Sequence, residues 1–303
     1  MPLLLFLLAL ITAACAPVAQ QQRATNASPA TVFRCPMHPD VREAAPGTCP
    51  RCGMGLVAAT AQPAGAVYHL ETETSPAVLR SGIPSTIRFR VREGRSGTVV
   101  RQYETVHERM FHLFLVSQDL EHFEHLHPEL RADGSLELTL QFPRPGPYHF
   151  YADFLPAGGL PQLLHTAVVT ADYDGTLADA ERALTTDMTD KVVEGLRVRL
   201  ESPAQVAGRE QIISVFLEDA ASGKPVTDLQ PYLGAWGHMF MASRDLADLV
   251  HSHPLIEETV PGGPKITFQT LFARDGWYRV WTQVQRRGRL LTFAFTVRVA
   301  PAL

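Results

Sequence analysis

The sequence predicts a mainly β protein, with a small metal-knuckle module followed by two tandem immunoglobulin-like antiparallel β-sandwich domains. Three observations carry this expectation. From Val67 onward, short runs of alternating apolar and polar residues are broken by Gly, Pro, Asp and Ser, the pattern of half-buried strands joined by turns. The second half of the chain repeats the first, histidine for histidine, and two copies of one unit are the simplest account of that. Between residues 35 and 52, three cysteines and a histidine stand at metal-ligand spacing.

Taken in chain order, residues 1–15 form the first element. Leu3 to Ile11 is an unbroken apolar run that ends in Thr12-Ala13-Ala14 before Cys15. The run is too short to cross a bilayer and reads as an export signal. Small residues ahead of a cysteine resemble the bacterial lipoprotein processing site, which implies that Cys15 is lipidated and anchors the chain to a membrane. Ordinary cleavage near Ala19 is the alternative. Residues 16–31, rich in Gln, Ala, Ser and Pro, read as a flexible tether.

Residues 32–57 hold the strongest chemical signal. Cys35-Pro-Met37-His38 and Cys49-Pro-Arg-Cys52-Gly-Met54 form a C-x2-H pair and a C-x2-C pair, which can converge on one ion as three thiolates and an imidazole. That donor set suits zinc or cuprous copper. With Cys15 set aside, three cysteines remain, and three cannot pair off within one chain. The segment closely resembles the small heavy-metal-binding domain of pattern CPMHP(D/E)V and PGxCPxCGMxL, found on copper-translocating ATPases and on periplasmic adaptors of heavy-metal efflux systems. The resemblance covers residues 35–56. It implies metal handling, with Cys35, His38, Cys49 and Cys52 as ligands and Met37 and Met54 as thioethers favouring copper(I). A zinc ion that only staples a fragment too short for its own core is the competing reading.

Residues 58–65 read as a second, shorter linker, and 66–172 as the first sandwich. Ile87, Phe89 and Val91 alternate with polar neighbours, as do Leu136, Leu138 and Leu140. Residues 173–192 are a connector, with a helical stretch expected somewhere in Thr176 to Leu196. Residues 193–303 are the second sandwich, where Leu196, Val198 and Leu200 alternate in the same way. Both sandwiches together resemble a bacterial secreted-protein type that is appended to such metal modules.

The repeat is explicit in the histidines. Met110-Phe-His112 leads through Ser-Gln-Asp119-Leu to His125-Leu-His127-Pro, and Trp236-Gly-His238 leads through Ser-Arg-Asp245-Leu to His251-Ser-His253-Pro. Alternate residues of a strand share a face, so His112, His125 and His127 in one copy, and His238, His251 and His253 in the other, can each gather three imidazoles. Three neutral imidazoles suit copper(II) or zinc and leave a coordination position open. The bland account is a core histidine satisfied by a backbone carbonyl and an H-x-H-P that shapes a turn. Met110 shares parity with His112, whereas Met239 and Met241 fall on the opposite face from His238 and read as core. His69, His107, His122, His149 and His165 belong to the first copy only and default to solvated loop positions, with His107 and His122 as candidates for added exposed ligands; Asp153 is a candidate either to orient a ligand histidine or to form a turn.

Composition narrows the function. With 46% hydrophobic and 19% charged residues, the chain supports sizeable cores, and a formal charge of −4 with interspersed signs supplies no basic face for nucleic acid. No thiolate lies in the sandwiches for a blue-copper centre, and no nucleophile elbow, phosphate loop or dinucleotide fingerprint is present. The expectation is a non-enzymatic, exported, lipid-anchored protein of the periplasm or cell surface that binds copper or zinc for capture, transfer or resistance, with a metal-efflux or acceptor protein as partner. The alternatives are an envelope scaffold or adhesion protein with a structural zinc, and a metal-dependent enzyme at the repeated histidines.

Overall fold

The computed structural model describes residues 32–35, 41–51, 55–59 and 67–302. Cys15, Met37, His38, Cys52 and Met54 lie outside the described residues, as do the export segment and its tether.

The chain is mainly β, with a small module ahead of two tandem antiparallel sandwiches. In the module, Val32–Arg34 pairs antiparallel with Arg42–Glu43 on one side and with Val57–Ala59 on the other, so the last strand runs into the segment read as a linker. Cys35 and Cys49 are both buried there with Leu56, and Val106 of the first sandwich packs against them. The module is also held by polar contacts to both sandwiches. Arg34 donates to the Gly159 carbonyl at 2.7 Å and Arg51 to Gln269 Oε1 at 2.9 Å.

The first sandwich stacks two four-stranded sheets. One runs Gln162–Val169, Pro147–Phe154, Phe111–Ser117, Phe123–Leu126; the other Tyr68–Ser75, Pro84–Glu93, Leu136–Gln141, Glu129–Leu130. The second sandwich repeats the first of these sheets as Arg289–Ala300, Gly276–Arg286, His238–Ser243, Leu249–Ser252, and faces it with Lys191–Val193, Leu196–Glu201, Glu210–Asp219, Lys265–Leu271. Alternation fills the cores as expected: Ile87, Phe89 and Val91 are fully buried in one and Leu196 and Val198 in the other. Tyr148 and Tyr278 donate their hydroxyls to the carbonyls four residues upstream, of Arg144 and Arg274, the corner that immunoglobulin-like sandwiches use.

The strands Phe111–Ser117 and His238–Ser243 are buried along their whole length. One face of each enters its own core, through Phe111, Leu113 and Leu115 or through Met239 and Met241. The other faces meet in a third cluster that joins the two sandwiches, with Phe114, Val116, Tyr151, Phe240, Ala242 and Trp281 all buried. Phe114 and Phe240 occupy equivalent places in the two copies, and their rings touch at 4.7 Å between centroids.

The connector departs from its expected helicity. Only Leu177–Ala180 is helical. Thr176 and Asp179 form a capping box that starts the turn, but Glu181 is already extended, Leu184 is drawn into the cluster between the sandwiches, and Asp187 bridges Thr296 as an added strand residue. Tertiary burial overrides a weak helical propensity here.

Candidate metal centre

Each histidine triad is built by one strand pair and one turn. Ser117 Oγ donates to Asp119 Oδ1 and accepts from the His122 amide, while Leu120 turns back at φ 61°. The second copy matches it bond for bond, with Ser243 on Asp245, the Asp248 amide on Ser243 Oγ, and Leu246 at φ 56°. This turn fixes the return register, setting His125 opposite Phe114 and His251 opposite Phe240. Two residues earlier on the same strand face stand His112 and His238; two residues beyond the H-x-H start stand His127 and His253. Parity then brings all three imidazoles of each copy to the face between the sandwiches.

In the first copy the three nitrogens form a nearly equilateral set. His112 Nδ1 lies 3.0 Å from His125 Nε2, and His127 Nε2 lies 3.2 Å and 3.1 Å from these two. The remaining nitrogens fix the tautomers. His112 Nε2 donates to the Val106 carbonyl at 2.9 Å and His125 Nδ1 to Gln283 Oε1 at 3.2 Å, with that amide oriented by its own donation to Thr292. His112 Nδ1 and His125 Nε2 are therefore lone pairs, so at most one proton, on His127, can sit among the three. A cation resolves this convergence: imidazole nitrogens about 2.0 Å from a tetrahedral ion stand roughly 3.3 Å apart.

The second copy repeats the donor set. His238 Nε2 donates to the Tyr232 carbonyl at 2.9 Å and His251 Nδ1 to Asp153 Oδ2 at 3.0 Å. That leaves His238 Nδ1, His251 Nε2 and both nitrogens of His253 buried without a partner, and the ligand nitrogens of the three residues lie within 4.8 Å of one another. Buried orphan polar atoms cost about 1–3 kcal/mol each, a cost that a bound cation would relieve. Burial holds all the triad histidines below their ordinary range, reinforced by Arg109 at His112 and by neighbouring imidazoles at the other five, with His127 at about 3 and His238 at about 4. They are neutral imidazoles at physiological pH, the form in which histidine can ligate a metal.

The outer contacts are exchanged between copies. Gln283 of the second sandwich holds His125 of the first, and Asp153 of the first holds His251 of the second. Asp153 and Gln283 are themselves equivalent, each lying opposite the first histidine of its own copy. Burial pushes the Asp153 carboxyl up to about 7. The two triads are neighbours, with ring centroids of His125 and His238 5.8 Å apart and those of His112 and His251 5.7 Å apart. Because outer-shell partners orient and strengthen a ligand histidine, Asp153→Asn is expected to weaken metal binding at the second triad by roughly 10- to 100-fold while sparing the first, as read by competitive chelator titration.

Of the other sequence candidates, Met239 and Met241 lie in the core, and Met110 is exposed beside a narrow cavity bordered by His112 and His251. His122 bonds Glu124, and His149 bonds His165 and Gln118. His107 corrects the expectation of a solvated loop residue: its Nε2 is buried without a partner, and its ring stacks on His253 at 3.6 Å. Gln283 was the residue sequence reasoning missed. Its signal was available, because aligning Tyr148 with Tyr278 places Gln283 where the first copy has Asp153.

Two family models match parts of the chain. Residues 65–172 and again 191–301 match the family described as Domain of unknown function (DUF8832), and residues 32–59 match the Heavy metal binding domain. A Copper-exporting P-type ATPase of Legionella pneumophila is 50% identical over 36 residues, which span 12% of this chain and 5% of the ATPase. Among solved structures, the Escherichia coli adhesin FdeC is 14% identical with a TM-score of 0.24, covering 76% of this chain and 64% of that one. Yersinia pseudotuberculosis InvD is 13% identical with a TM-score of 0.24, covering 77% and 58%. The fibronectin(III)-like modules of Clostridium thermocellum CbhA are 9% identical with a TM-score of 0.21, covering 77% and 95%.

Proposed function

Because the chain belongs to the DUF8832 family, in two copies behind a heavy metal binding domain, we propose that it is an extracytoplasmic metal-handling protein whose module captures an ion and whose paired sandwiches hold further ions at the two histidine triads. The observation that carries this is the convergence of His112 Nδ1, His125 Nε2 and His127 Nε2 at 3.0–3.2 Å with their other contacts fixing the lone pairs inward, repeated in the second copy.

Copper is the favoured cargo. Thiolates of Cys35, Cys49 and Cys52 with the thioethers of Met37 and Met54 are soft donors suited to copper(I), and His38 completes the module; the imidazole triads accept copper or zinc alike. A module of this kind also occurs on a relative named for copper export. The apolar run before Cys15 supports export and lipid anchoring, which place the protein beside an efflux or acceptor protein at the membrane; loss of acyl labelling in Cys15→Ala checks that part.

The test is elemental mass spectrometry of the intact chain after equilibration with copper(I) or zinc. One ion in the module and one in each triad is the expected result, with the module's ion lost when residues 32–59 are deleted. Protein that stays metal-free rejects the reading and leaves a scaffold.

A further inference from the structure

His107 occupies a strained position at the mouth of a cavity. Val106 and Arg109 exchange backbone hydrogen bonds at 2.8 Å and 3.1 Å across a two-residue turn, with His107 at φ 49° and Glu108 at φ 62°. Glycine and asparagine are the residues that suit such a turn. The second copy makes the same turn from Tyr232 to Ala235 with Leu233 and Gly234 at its apex, and there the equivalent of His107 is a leucine. An imidazole held in the left-handed region, with Nε2 buried and unpartnered, is the kind of costly feature that persists where it has a use.

The surroundings indicate the use. A cavity of about 630 Å³ is bounded on one side by Gly55, Leu56 and Val57 of the metal module and on the other by His107, Trp236 and His253. One nitrogen of His253 belongs to the second triad, yet its other nitrogen is also buried and without a partner, and its ring lies flat against His107 at 3.6 Å with 18° between planes. Parallel rings aim their lone pairs side by side, so His107 does not close the triad's coordination; it stands one ring further out.

We propose that His107 is a transfer station, at which an ion that has left the module crosses the cavity, is held by His107 Nε2, and passes to the neighbouring His253 and so into the second triad. This rests on the metal-handling reading above and adds the route. The step is a ligand exchange in which a metal–nitrogen bond to the triad forms as the bond to His107 breaks. Each neutral ring supplies one lone pair and keeps the proton on its other nitrogen, so the ion exchanges His107 for His253 with no change of oxidation state. In the second copy Leu233 takes the place of His107, so the first triad has no such station and the second triad fills first.

The test uses the full chain carrying His127→Ala, which disables the first triad, mixed in stopped flow with two equivalents of cobalt(II). Thiolate charge-transfer absorption reports the module and the visible imidazole-cobalt band reports the second triad. His107→Leu, whose side chain the second copy accepts in the same turn, is expected to slow the rise of the imidazole band about tenfold or more with its final amplitude unchanged. His107→Asn, which also tolerates the left-handed region, is expected to do the same. An unchanged rate in both variants overturns the station while the triad stands as a metal site. Absence of the imidazole band in the parent protein, with the thiolate band present, overturns the triad reading and the station with it.

Discussion

Metal-free His253→Ala protein is expected to be as stable as its parent to within about 1 kcal/mol, while the stabilisation gained on adding metal falls by the share of one ion. The two halves of this result have separate origins. Both His253 nitrogens are buried without partners, so removing the ring deletes two unsatisfied groups, which offsets the packing that is lost. An ion bound only to the folded state adds about 2.7 kcal/mol at a hundredfold excess over its dissociation constant, and that increment requires three imidazoles. Thermal unfolding with and without zinc, beside elemental stoichiometry, measures both halves. His127→Ala is expected to give the same loss at the first triad. A purely structural role for His253 predicts the opposite pattern, with a less stable metal-free protein and an undiminished metal increment.

Phe240→Ala is expected to cost roughly 3–5 kcal/mol and to weaken both triads together. The ring is fully buried, lies 4.7 Å from Phe114 and 5.0 Å from Phe123, and supports His251 at 4.6 Å and His125 at 4.9 Å. Together with Phe114, which stands 5.0 Å from both His125 and His251, it backs a ligand histidine from each copy. Phe268→Ala is the control, because Phe268 is equally buried but sits in the second sandwich's own core. Its loss is expected to be similar in chemical denaturation, with metal stoichiometry kept. If Phe240→Ala retains both ions at parental affinity, the contact between sandwiches does not shape the sites.

The sandwiches were legible because burial on one face imposes a period of two, visible at Ile87, Phe89 and Val91. The triads were legible because the same thirteen-residue interval, from His112 to His125 and from His238 to His251, carries the same Ser-x-Asp-Leu turn. What stayed hidden depends on surfaces that meet only in three dimensions. Nothing local in Thr176 to Leu196 announces that Leu184 is buried against the partner sandwich. The tether around the module gave no hint that Arg51 would reach Gln269. His107 looked solvated because its burial comes from His253, which is far along the chain.

The exchanged outer contacts have an ancestral meaning. Asp153 supports His251 while Gln283 supports His125, so each copy contributes to its neighbour what it receives in return, as the two faces of an isologous dimer do. Within one polypeptide that arrangement cannot dissociate on dilution, and its halves are always present in equal number. It also escapes the constraint that binds a homodimer, in which one gene writes both sides. A carboxylate on one side and an amide on the other is an asymmetry that only the joined form can encode, and it gives two otherwise matching sites different electrostatic characters.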